Sequence, residues 1–138
     1  MKLMIASDIH GSAYYCKKMI EAYQREQADR LLLLGDILYH GPRNDLPEGY
    51  DPKAVIAMLN PLKQELLCVR GNCDTEVDQM VLEFPILAES CLLYTGSRAI
   101  FATHGLLHFL QTHFINAYIH NHSNFHQGHL QRQKEPDQ

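Results

Sequence analysis

The chain has 138 residues, a net charge of −4 and 20% charged side chains, a length that fits one domain. That balance excludes the basic footprint of a nucleic-acid binder, and no polybasic stretch is present. The 46% hydrophobic content is ordinary for a globular domain, and no apolar run approaches the roughly 20 residues needed to span a bilayer.

Leu3 to Ala6 is a short apolar run that stops at Ser7-Asp8. It is too short for a helix or for the apolar core of a secretory signal, so it predicts a buried strand. Ser12 is placed to cap a helix in which Met19, Ile20 and Tyr23 recur at helical spacing. Residues 31–34, all leucine, predict a second buried strand closed by Gly35-Asp36. A polar loop rich in glycine and proline runs from Tyr39 to Asp51. Pro52 then opens a helix capped by Asp51, with Val55, Ile56 and Leu59 on its apolar face and an end near Asn60-Pro61. Residues 66–69 predict a third buried strand, closed by Arg70-Gly71-Asn72. Apolar strands alternating with helices imply an α/β fold, a parallel sheet covered by helices. Residues 91–94 and 99–102 read as two more strands, joined through Thr95-Gly96-Ser97 as a hairpin.

The composition changes after Gly105. Residues 106–138 hold six of the nine histidines, five glutamines, one glycine, one proline and no valine. This His/Gln-rich tail is expected to be poorly ordered, and the shift suggests an altered reading frame. The four cysteines, Cys16, Cys68, Cys73 and Cys91, form no CxxC pair and predict reduced thiols in a soluble, cytoplasmic protein.

Four polar clusters stand where apolar runs stop: Asp8-Ile9-His10, Gly35-Asp36, Gly71-Asn72-Cys73-Asp74 and Thr103-His104-Gly105. Taken singly, each is an ordinary turn, cap or strand-end histidine. The C-terminal ends of parallel strands converge on one crevice, however, so the four can meet in space. Their carboxylate, imidazole and amide donors suit Mn, Fe, Zn or Ni better than Ca. A nucleotide-binding flavodoxin-like domain would share the element order, but no Gly-rich phosphate loop is present.

The series DxH, GD, GNxD and THG resembles the motif series of the calcineurin-like metallophosphoesterases. Residues 35–50 and 70–80 look closest to the bacterial YfcE-like phosphodiesterase branch of that family. The resemblance covers residues 1–105 and implies a metallophosphoesterase-type α/β/β/α sandwich, here incomplete. It implies hydrolysis of a small-molecule phosphodiester at two divalent metal ions, Mn first, with Zn, Fe or Ni as alternatives. By resemblance, Asp8 and His10 would bind the first ion, Asp36 would bridge both, and Asn72 and His104 would bind the second. Asp36, Asn72 and His104 are also the residues it implicates in catalysis. Many relatives carry histidine at the position of Cys73; Cys73 and Arg43 are the candidates for contacting substrate, with His40 in the same loop as Arg43.

The family's closing Gly-His-x-His motif has no counterpart. His120-Asn121-His122 has the spacing, but Ile119 stands where glycine is expected. The expectation is therefore a metallophosphoesterase core over residues 1–105, followed by a divergent tail, with activity impaired. The alternative is an inactive remnant that binds metal or self-associates through an uncovered sheet edge.

Overall fold

A computed structural model describes residues 1–105; the expectations for the tail fall outside the described residues. Three strands, β1 (Leu3–Ala6), β2 (Arg30–Leu33) and β3 (Leu66–Cys68), form a parallel sheet in the order β1-β2-β3. Met4 pairs with Leu31 and Ile5 with Leu32; Leu32 pairs with Leu67 on the other side. Helices α1 (Ala13–Arg25) and α2 (Pro52–Leu59) make the two crossovers, and a 3-10 turn (Asn60–Leu62) continues α2. A short helix α3 (Glu76–Gln79) follows β3. Strands β4 (Cys91–Thr95) and β5 (Arg98–Ala102) form an antiparallel hairpin, a second, two-stranded sheet. Gly96, at φ +61, takes the first of the two turn positions, where a type II′ turn favours glycine.

Local chemistry explains the element starts. The Ser12 hydroxyl accepts from the N–H of Tyr15, and the Asp51 carboxylate accepts from that of Ala54, ahead of Pro52. Cys16 and Tyr23 of α1 and Val55 and Leu59 of α2 share one core with Leu31 and Leu33. Alternation along β2 turns Leu32 to the opposite face, and it too is fully buried. Each buried leucine contributes about 1.5–3 kcal/mol. The strand β1 is half-buried along its length rather than buried. Among the described residues it has a neighbouring strand on one side only, whereas β2 is flanked on both. In the hairpin, Leu92, Tyr94 and Phe101 are exposed.

The pairing of β1 with β2 does not stop at the strand ends. Leu34 N–H donates to Ala6 O, Asp8 N–H to Gly35 O, His10 N–H to Asp36 O and Gly11 N–H to Ile37 O. Main-chain bonds thus lock the Asp8–His10 loop to the Gly35–Ile37 loop before any side chain is considered. On the other side of β2, Val69 N–H donates to Leu33 O, which brings the loop after β3 into line.

Candidate metal centre

Asp8, His10 and Asp36 all have left-handed backbones, at φ 60, 49 and 56. Such a conformation costs a residue with a side chain roughly 1–2 kcal/mol. Among the described non-glycine residues only Gln27 shares it, just past the C-terminus of α1, where helices commonly end that way. Strain held at three strand-end residues by the surrounding hydrogen bonds is a recurrent feature of functional sites.

Five of the candidate residues come together here. Asp36 is buried, and its Oδ2 lies 3.7 Å from His10 Nε2 and 3.5 Å from His104 Nε2. His10 Nε2 is also 3.2 Å from Asp8 Oδ1, and His104 Nε2 is 2.9 Å from Asn72 Oδ1. Donor atoms of Asp8, Asp36 and His104 lie within 4.8 Å of one another, as do those of His10, Asp36 and Cys73. Asp36 is common to both groups. The sulfur of Cys73 therefore stands within reach of the same centre, a position that sequence reasoning had assigned to substrate contact alone.

The two imidazoles test whether a cation fits. His10 Nδ1 lies 2.7 Å from the carbonyl oxygen of Tyr39, and His104 Nδ1 lies 2.7 Å from that of Leu34. A carbonyl only accepts, so each Nδ1 carries the proton. In the neutral ring, Nε2 is then a bare lone pair, and here each one faces carboxylate or amide oxygens. Lone pairs converging on lone pairs repel unless a cation or extra protons lie between them. Imidazoles oriented through the far nitrogen by a main-chain carbonyl are the usual preparation of histidine for metal. The residues present fit divalent cations with mixed oxygen and nitrogen ligands.

The close approach of two turns shapes the centre. A Cβ on Gly35 would lie 2.1 Å from Gly71 N, and one on Gly71 would lie 2.1 Å from Asp36 Oδ1. Only glycine leaves room for the loop after β3 to lie against the Asp36 carboxylate. Cys73 N–H donates to Asp36 Oδ1 at 2.7 Å, and the Asn72 side-chain amide donates to Cys73 Sγ at 3.4 Å. Burial, reinforced by the Asp36 carboxylate, pushes the Cys73 thiol up to about 11, so without a cation it remains protonated at neutral pH. Arg43 is exposed, and no hydrogen bond or ion pair among the described residues ties it to this group. His40 packs edge-on between Tyr39 and Tyr50, with a buried Nδ1 that finds no partner among the described residues. Sequence reasoning missed the two carbonyls that orient the histidines, because main-chain acceptors leave no trace in residue type.

Asp8, His10, Asp36 and Asn72 follow the C-terminal ends of parallel strands and His104 follows the hairpin, so five metal-capable side chains meet at one edge of an α/β scaffold. A model of the family described as "Calcineurin-like phosphoesterase" matches residues 1–137, and the chain belongs to that family. It is 50% identical over 107 residues to "Phosphodiesterase YfcE" of Escherichia coli strain K12, covering 78% of this chain and 58% of that protein. The O157:H7 counterpart gives the same figures. A solved structure, described as a phosphoesterase from E. coli, Yfce, matches with a TM-score of 0.76 at 50% identity, covering 78% of this chain and 59% of that one. The chain thus spans somewhat under two thirds of the length of these relatives. No helix among the described residues is long and apolar enough to cross a membrane.

Proposed function

We propose that this chain hydrolyses a small-molecule phosphodiester at a pair of divalent cations. Mn is the first candidate, and Zn, Fe or Ni are the alternatives that the same ligand types admit. The observation that carries the reading is the buried Asp36 carboxylate, faced by the Nε2 atoms of two histidines whose Nδ1 atoms are held by Tyr39 and Leu34 carbonyls. Asp8 and His10 would hold one cation, Asn72 and His104 the other, and Asp36 both. Two such cations supply Lewis acidity at the phosphoryl oxygens and lower the pKa of water.

The chain's own residues do the rest. The left-handed turns and the main-chain bonds between them set the backbone from which Asp8, His10 and Asp36 reach the centre, which reduces the reorganisation needed in the reaction step. The Cys73 N–H holds one oxygen of Asp36 and thereby limits how that carboxylate can rotate. The Arg43 guanidinium, on the exposed loop, offers a planar fork suited to a phosphate. The name phosphodiesterase borne by the 50%-identical relatives supports the same substrate class. All four cysteines are free, which accords with a cytoplasmic setting. The exposed Leu92, Tyr94 and Phe101 support self-association into a homo-oligomer.

The test uses metal-stripped protein and a chromogenic phosphodiester. Turnover is expected only after Mn is added back, and a chelator should abolish it. Turnover of equal rate with and without chelator would contradict the proposal. Stoichiometric Mn binding with no turnover would instead favour a metal-binding protein without activity.

A further inference from the structure

Asp74 is buried and offers no atom to the ligand groups described above, yet it makes more main-chain contacts than any of the ligands. Its Oδ2 accepts from the N–H of Asp36 at 2.8 Å and of Gly71 at 2.7 Å, and its Oδ1 accepts from the N–H of Ile37 at 2.9 Å. Arg70, the nearest basic residue in sequence, does not neutralise it. The Arg70 Nε donates to the main-chain oxygen of Asp74, and its guanidinium pairs with Glu76 at 3.2 Å. A buried carboxylate costs several kcal/mol unless its oxygens are satisfied, and here three backbone N–H groups satisfy it.

Those three amides are not arbitrary. One belongs to Asp36, whose left-handed backbone must be held. The next belongs to its successor, Ile37. The third belongs to Gly71, whose missing side chain makes room for Asp36 Oδ1. We infer that Asp74 is a positioning residue that clamps the turn after β2 to the turn after β3, aims the Asp36 carboxylate, and adds a second buried negative charge beside the cations. This inference rests on the metal reading of the site given above. Asp74 also completes a division of labour: Cys73 N–H holds one oxygen of Asp36 from the front, and Asp74 holds its main chain from behind.

The test compares Mn binding and kinetics in wild type, Asp74→Asn and Val55→Ala, each about 15 °C below its own melting temperature. Val55 is fully buried in α2, so its truncation lowers stability through the core instead. Asp74→Asn keeps the shape but removes the charge and turns a donor toward main-chain N–H groups. Its Mn affinity is expected to fall about 10- to 100-fold, the usual loss when a group supporting a ligand is removed, with kcat falling alongside. Val55→Ala should melt earlier and bind Mn as the wild type does. Equal Mn affinity in Asp74→Asn and wild type would overturn the inference while leaving the metal centre standing. Equal losses in both variants would reduce Asp74 to a stabilising residue and overturn it too. If the wild type binds no Mn, the inference and the proposed function fall together. Should Asp74→Asn not fold, Asp74→Glu retains the charge and moves the carboxylate by one methylene. It should then show the same loss of Mn affinity, and wild-type affinity there would refute the clamp.

Discussion

Asp36→Asn is expected to leave a folded protein and to lower kcat/KM on a phosphodiester by about 10²- to 10⁴-fold. Asparagine is nearly isosteric, and its carbonyl oxygen can still accept from the N–H of Cys73, so the buried site has no cavity to close. What disappears is the one charge that faces both His10 and His104. Cation-based stabilisation of a phosphoryl transition state amounts to several kcal/mol, and each 1.4 kcal/mol is tenfold in rate. Loss of the shared carboxylate should remove most of it. The check is a kcat/KM measurement with a thermal melt beside it. Wild-type turnover in the variant would mean that Asp36 does not hold the reacting centre together.

Gly35→Ala is expected to destabilise the fold itself by about 2–5 kcal/mol, against the total of roughly 5–15 kcal/mol typical of a domain. Two separate costs add. At φ +96 an alanine carries the penalty of a left-handed backbone, about 1–2 kcal/mol. Its methyl would also stand 2.1 Å from Gly71 N and 2.5 Å from Gly71 Cα, and backbone cannot step aside as a side chain can. Forcing extra volume into a packed contact costs typically about 1–3 kcal/mol. At roughly 4 °C per kcal/mol for a domain between the 100- and 150-residue classes, the melting temperature should drop by about 8 °C or more. A melt within a few degrees of wild type would show that the two turns do not pack as closely as described.

Much of this arrangement was legible in the sequence because of how strands end. Each of the three apolar runs stops abruptly at a Gly, Asp or Asn cluster, and parallel strands place those stops on one side of the sheet. That geometry alone juxtaposes Asp8, His10, Asp36 and Asn72, and the hairpin reading carries His104 to join them. The caps at Ser12 and Asp51 were legible for the same local reason. Less visible was anything built on distant main chain. The role of Asp74 rests on amides 37 and 38 residues away, and a carboxylate at the end of a turn signals nothing of that kind. Leu82, Phe84 and Ile86 enter the core from a stretch with no regular period. Gln79 secures it by donating to Leu82 O and Phe84 O and accepting from Ile86 N–H, a pattern no periodicity reveals. One overlooked signal was readable: Thr75-Glu76-Val77-Asp78 spells a capping box, and it opens α3. Four residues are too few for an amphipathic pattern, which explains the omission.

The central claim is that Asp36 is shared by two cations, and metal stoichiometry tests it most directly. Metal-stripped protein would be titrated with Mn and followed by calorimetry and electron paramagnetic resonance, with Asp36→Asn as the comparison. Two Mn ions per chain with a spin-coupled signal, both lost or uncoupled in Asp36→Asn, is the predicted result. A single uncoupled Mn per chain, unchanged by the substitution, would contradict it.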